Sequence, residues 1–402
     1  MLRRSHRKSR TGCLECKRRH VKCDERRPIC FLCTMSGRAC RYASESPSEN
    51  TSTPDAFQAT PEILRPEILP LATASAQSFV LPAFPHMESH ESIPVLDGPV
   101  NLNHMELLIH VMVDKSLFSI GYHDSNFPAN LTTSFRIGLE SPYVLHQLLA
   151  FSARHLAFLH PDRADSYLHQ AVSLQTRAIS LFNASRNGVD ESNCVAMLLF
   201  SAFLGHHTLT DTLAKRDAGG LEAFMFYFIQ CIDMQRGVHA IAQTAWPLLM
   251  KSELKPLLSW SSQYNTRLPR GNHCQQLNEL VDNSNGLSEE EKEACQEAAR
   301  CLQIGFDAVF ADKDEERGNR FHMVHSWVLL LPPPLRGLLV TKRPEALVLL
   351  GYYALLLHYG RNLWQIGDAG AFILGIVNDH LGSEWAHWLK WPREEVAKTL
   401  VA

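Results

Sequence analysis

The residues with the clearest chemistry are six cysteines packed into a short N-terminal stretch, Cys13-x2-Cys16-x6-Cys23-x6-Cys30-x2-Cys33-x6-Cys40. Each half offers a close pair and then a third thiol, at one repeated spacing. Thiolate is a strong zinc ligand, and a structural zinc ion takes four ligands in a tetrahedron. Two zinc ions need eight ligand positions, which six thiolates fill only if two of them bridge. The symmetry of the spacing points to Cys13 and Cys30, the first of each half, as the bridges. The competing chemistry is a disulfide knot in a secreted domain. That would call for a signal peptide, and residues 1–10 have no apolar core, so the spacing and context favour two Zn2+ ions.

The charge distribution singles out the same region. Over the whole chain of 402 residues the formal net charge is only −3. Residues 1–41, however, hold 13 Lys and Arg against 3 acids, leaving 26 basic and 39 acidic residues in 42–402. A small, strongly positive head on an acidic body predicts a polyanionic partner for the head alone. The other five cysteines, Cys194, Cys231, Cys274, Cys295 and Cys301, are scattered and unpaired by spacing, and read as buried, idle thiols in a reducing compartment. No transmembrane helix is expected. The most apolar run, Leu347 to Leu357, is too short to span a bilayer.

The elements that must carry this head follow from composition and periodicity. Residues 1–43 form the metal domain with its basic arm. Residues 44–98 are rich in Ser, Thr and Pro, show no apolar heptads, and read as a disordered linker. From 99 to 402 the pattern is that of an all-α domain. Helices are expected over Asn101–Ser119, from Ser141-Pro142 onward, over Asp165–Phe182, Asp190–Leu209 and Gly220–Gln235, and from the Ser288/Glu291 capping box to about Leu302. Pro332-Pro333-Pro334 should break the chain, and Glu345–Tyr359 should be central. Trp385, Trp388 and Trp391 are expected along one helix face for packing, with Pro392 ending that helix. Leu347–Leu357 reads as an ordinary core helix followed by a turn, with an apolar pocket beside it as the alternative, and the glycines at 367, 370 and 375 let the backbone approach closely or move as a lid would.

The segment Lys8-Ser9-Arg10-Thr11-Gly12-Cys13-Leu14-Glu15-Cys16-Lys17-Arg18-Arg19-His20-Val21-Lys22-Cys23-Asp24-Glu25-Arg26-Arg27-Pro28-Ile29-Cys30 closely resembles the fungal binuclear zinc cluster transcription factors. Metal ligands Cys13, Cys16, Cys23, Cys30, Cys33 and Cys40 are what that resemblance implies, together with a short helix over Cys16–Cys23 that enters the major groove of double-stranded DNA. Carried over by position, Arg19 and His20 lie nearest the bases and Lys17, Arg18 and Lys22 meet phosphates. His20 departs from the commoner Lys or Arg. A CGG-type half-site, a nuclear location and recruitment of the transcription machinery are implied in the same way. The segments 144–157, 342–358 and 388–392 resemble the helical regulatory domain of fungal sterol uptake control regulators. Related domains occur in regulators of secondary-metabolite gene clusters. The implied partner of the body is an apolar small molecule, and because the linker offers no coiled coil, dimerisation either uses the C-terminal domain or does not occur.

Catalytic signatures are absent from the sequence: there is no His-Glu-x2-His, Gly-x-Ser-x-Gly, Gly-x-Gly-x2-Gly or phosphate-binding loop. The histidine pairs His206-His207 and His322-x2-His325 read as surface or satisfied core residues. The expectation is therefore a DNA-binding transcription factor and not an enzyme, controlling a secondary-metabolite cluster or sterol and lipid genes. Three other readings stay open: a global sterol sensor, an enzyme tethered by a zinc head, and a pure scaffold.

Overall fold

The structure is a computed structural model. It describes residues 11–18, 23, 25, 30, 33, 40–42, 100–118, 127–185, 188–311 and 320–400. The chain divides into two compact units, Met1–Glu91 and Ser92–Ala402. The stretch expected as a linker lies outside the described residues. Among the described residues there are helices and no strands.

In the first unit, one short helix, α1 (Leu14–Arg18), opens the cluster. The sequence pattern placed a helix over Cys16–Cys23. The helix starts earlier because the Cys13 carbonyl already accepts from Lys17 N–H at 3.1 Å, and positions 19–22 lie outside the described residues. Leu14 N–H donates to Arg41 O at 2.8 Å, tying the two ends of the segment together.

The second unit begins with α2 (Leu102–Val113), capped by Asn101, whose Oδ1 accepts from His104 N–H at 3.1 Å. A 3-10 turn over Lys115–Phe118 and α3 (Phe127–Glu140) follow. Then come α4 (Pro142–Leu159), with its proline in the first turn as expected, and α5 (Ala164–Ala184). Helix α6 (Cys194–Leu213) begins four residues later than its periodicity suggests. The reason is local: Asp190 Oδ1 accepts from the N–H groups of Ser192 and Asn193, and this turn competes with the helix.

Helix α7 (Gly220–Leu249) runs well past Gln235, and α8 (Lys255–Asn265) and α9 (Gln275–Asp282) follow it. Helix α10 (Glu289–Phe310) has both halves of the Ser288/Glu291 capping box and continues beyond Leu302. The proline run breaks the chain between α11 (His322–Leu329) and α12 (Pro333–Val340).

Helix α13 (Pro344–Tyr359) is apolar all round and so has to be enclosed. From Ala346 to Leu357 every apolar side chain is at most 1% exposed. Two buried polar groups in and against this helix find partners: Tyr353 OH donates to Val324 O at 2.8 Å, and Trp327 of α11, stacked on Tyr353 at 4.4 Å, donates its indole N–H to Ala298 O. Helix α14 (Ala369–Trp385) crosses it at Gly370. A Cβ there would sit 2.4 Å from Ala354 O and 2.5 Å from His358 N. Of the two roles the sequence offered this glycine, close backbone approach is the one it fills.

Two further corrections concern the C-terminal tryptophans. Gly382, at φ 69°, breaks α14, and a turn over residues 386–389 separates it from α15 (Lys390–Leu400). Trp385, Trp388 and Trp391 therefore share no single helix, and Pro392 stands in the first turn of α15, where its missing N–H costs nothing. All three tryptophans pack on the main core, as expected. Among the described residues no single helix is long and apolar enough to cross a membrane. All five scattered cysteines are buried, free thiols.

Candidate metal centre and a histidine-lined cavity

All six cluster cysteines are described, and they converge. A tetrahedral zinc ion with sulfur at about 2.3 Å needs its sulfurs about 3.8 Å apart. Cys13 Sγ lies 3.7 Å from Cys30 Sγ and 3.7 Å from Cys33 Sγ, and Cys16 Sγ lies 3.7 Å from Cys30 Sγ. The thiols form two sets of four, Cys13/Cys16/Cys23/Cys30 and Cys13/Cys30/Cys33/Cys40, each with all sulfurs within 4.8 Å of one another. The two sulfurs common to both sets are those of Cys13 and Cys30, the positions that the spacing singled out as bridges.

Backbone groups hold this arrangement in place. Cys16 N–H points at Cys13 Sγ at 3.4 Å, Cys13 N–H at Cys23 Sγ at 3.4 Å, and Cys30 N–H at Cys40 Sγ at 3.3 Å. Tyr42, buried, sets its hydroxyl 3.8 Å from Cys23 Sγ.

Cys13, Cys16, Cys30 and Cys33 resist ionising together. Burial, then the neighbouring Cys13 sulfur, pushes Cys16 up to about 12, and burial raises Cys33. Burial also works against Cys13, but hydrogen bonds from Cys16 N–H and from the thiols of Cys16, Cys30 and Cys40 hold it down at about 6. Divalent cations remove the conflict, because a coordinating thiol is deprotonated outright.

Of the five basic positions expected to meet DNA, Lys17 and Arg18 are described, and both are exposed on α1. Arg18 forms an ion pair with Glu15 at 2.9 Å while its side chain stays 72% exposed, a pair of little energetic weight. Arg19, His20 and Lys22 lie outside the described residues.

The body holds a cavity of about 720 Å³ between α6, α7, α8 and α11. Its walls are largely apolar, with Val238, Trp246, Leu258 and Leu329 among them, and His206, His322 and His325 line it as well. The rings of His206 and His325 stack at 3.9 Å, 15° from parallel. His322 Nε2 lies 2.9 Å from Ser326 Oγ and 3.2 Å from Asn265 Oδ1. Gln235 Nε2 donates to Gly205 O at 3.1 Å and lies 3.2 Å from His325 Nε2. Burial holds His206 down at about 4, burial and then the nearby His206 hold His322 at about 3, and His325 is well below the usual imidazole range for the same reasons. All three are neutral at pH 7.

The cavity does not lie beside Leu347–Leu357, where the sequence offered a pocket as the alternative to an ordinary core helix. The Leu347–Leu357 face is closed by packing, and the glycine run after it is helix and turn. His207 is a satisfied core residue, 3.2 Å from Gln147 and 3.5 Å from Asp211. The convergence of His206 with His322 and His325 had no local signal, since it depends on how α6 packs beside α11.

Residues 11–49 match the fungal Zn(2)-Cys(6) binuclear cluster domain family. A Zn(2)-C6 fungal-type transcription factor of Gibberella zeae is 24% identical over 97% of this chain and 86% of its own length. Another, from Aspergillus fumigatus, is 30% identical over 40% of this chain and 36% of its own length. Sterol uptake control protein 2 of Candida albicans is 54% identical, over only 12% of this chain and 7% of its own length. With the sulfur geometry, these findings show that the chain carries a fungal Zn(2)-Cys(6) binuclear cluster domain near its N-terminus, and this domain binds two zinc ions.

Proposed function

We propose that this chain is a nuclear, sequence-specific DNA-binding transcription factor for RNA polymerase II promoters, controlling a biosynthetic gene set of secondary metabolism or of sterol and lipid genes. The observation that carries the reading is the pair of overlapping four-thiol sets with exposed Lys17 and Arg18 beside them. Two zinc ions fold the head, and the basic residues around it meet DNA. The alignment with the Gibberella zeae transcription factor runs along head and body alike, which supports regulation over catalysis as the task of the body.

In this reading Arg19 grips guanine O6 and N7 of a CGG-type site with two hydrogen bonds, and His20 reads beside it. Lys17, Arg18 and Lys22 hold phosphates, which fix register without reading sequence. The body recruits the transcription machinery and carries any homodimer contact. Its cavity supports tuning by an apolar small molecule, the occupant that a largely apolar chamber of this size with a few polar groups fits. A ligand changes activity there only by binding one conformation better than another.

Fluorescence anisotropy with a CGG duplex and a scrambled duplex, between roughly 50 and 200 mM salt, tests the DNA reading. Arg19→Ala is expected to cost about 1–3 kcal/mol on the CGG duplex and to relax specificity at one base pair. Lys17→Ala is expected to weaken both duplexes alike and reduce the salt slope by about one. Equal affinity of the zinc-loaded wild-type chain for both duplexes at every salt concentration sinks the proposal.

A further inference from the structure

A third convergence of ligating side chains lies in the second unit, and none of its residues lines the cavity. His110 stands in the last turn of α2, and Asp114 is the C-cap of the same helix, its N–H closing that turn on His110 O. His155 faces them from α4. His110 Nε2 and His155 Nδ1 are 3.0 Å apart, and one atom from each of the three residues lies within 4.8 Å of the other two. His155 is 1% exposed.

Hydrogen bonds and a ring stack hold these groups in place. Ser152 Oγ donates to Leu107 O at 2.8 Å, in the interior, and fixes α2 on α4. Asp114 Oδ1 accepts from Ser116 N–H at 2.8 Å and from Ser116 Oγ–H at 2.6 Å, which orients the carboxylate. Trp364, from the turn between α13 and α14, stacks on His155 at 4.4 Å and donates its indole N–H to Ser116 O at 3.0 Å. The same tryptophan thus supports one imidazole and the loop that orients the carboxylate.

We propose that His110, His155 and Asp114 form a third metal site, which binds one divalent first-row transition-metal ion and clips α2 to α4. Two imidazoles and one carboxylate are a donor set for Zn2+ and its neighbours, and not for Mg2+ or Ca2+, which take oxygen ligands. With metal–nitrogen bonds of about 2.0–2.1 Å, two coordinated imidazole nitrogens sit roughly 3.0–3.4 Å apart, so the observed spacing needs little adjustment. Outer groups that orient ligands, as Ser116 and Trp364 do, are a regular part of such sites. Three protein ligands leave a position for water, so this ion exchanges more readily than the two held by thiolates.

The test uses the full chain. Native mass spectrometry after dialysis against zinc chloride is expected to give three zinc ions in the wild type and two in Asp114→Asn, a change that keeps an oxygen for Ser116. Under the same conditions excess Zn2+, at about a hundredfold over its Kd, is expected to raise the body's Tm by about 5 °C in the wild type and not in the variant. Co2+ gives a second readout: bound at this site it quenches the tryptophan stacked on His155, and Trp364→Phe removes that quenching while keeping the third ion. Two zinc ions in the wild type overturn the proposal. So does a third ion that persists in His110→Gln/Asp114→Asn, which marks adventitious surface binding.

Discussion

Replacing Cys13 should damage the head about twice as much as replacing Cys16. The sulfur geometry sets the ratio. Cys13 belongs to both four-thiol sets, and Cys16 to one. Apparent binding energies of structural zinc run about 10–16 kcal/mol per ion, or roughly 3–4 kcal/mol per metal–sulfur bond. Cys16→Ala leaves one ion with four thiolates and one with three. Cys13→Ala leaves both with three, a loss of roughly 6–8 kcal/mol against 3–4. Zinc competition with a graded series of chelators, read by native mass spectrometry, is expected to show a one-zinc species over a broad range for Cys16→Ala. For Cys13→Ala both ions should leave together. A stable one-zinc species in Cys13→Ala, released at the same chelator strength as in Cys16→Ala, refutes the bridging assignment.

Three more expectations follow from the body. Gly370→Ala should destabilise it by about 3 kcal/mol or more, because the new Cβ meets the backbone of α13, which cannot move aside as a flexible side chain can; an unchanged urea midpoint contradicts this. Ser288→Ala should cost about 1 kcal/mol through loss of the capping box on α10, measured the same way and absent if the helix start is unstressed. Stability should also fall on mild acidification. His206, His322 and His325 have depressed folded pKa values, so below about 6.5 the unfolded chain takes up protons that the folded chain refuses until about 4 or lower. Each histidine then removes about 1.4 kcal/mol by pH 5.5. All seven tryptophans lie at or beyond Trp246, so their fluorescence follows the body alone, and a midpoint unchanged between pH 7 and 5.5 excludes buried neutral histidines.

The metal centre was legible because its ligands are local. Six thiols within 28 residues leave few ways to arrange two tetrahedra, and the shared pair Cys13 and Cys30 follows from counting. The centrality of α13 was legible for a different reason, since a helix with no polar face has to be surrounded. Helix ends were less so. The start of α6 was set by an Asp190 side chain bonding to its own turn, and the tryptophan series was misread because Gly382 adopts a left-handed conformation that spacing alone does not reveal. The cavity and the His110/His155 pair were out of reach for sequence reasoning. Each joins residues from different helices, and nothing near either residue encodes the other.

The enclosure of α13 has a consequence for synthesis. The groups that cover it include Leu389 and Val396, and His358 Nε2 meets Thr399 Oγ1 at 2.6 Å. All of these emerge from the ribosome after it. The 41 residues from Gly360 to Leu400 take about 2–8 s to add at typical elongation rates. For that interval the most apolar helix of the nascent chain has no final partner on one side, and a chaperone or a neighbouring chain can reach it. The slow, exposed phase of this protein's life is the completion of its last helices.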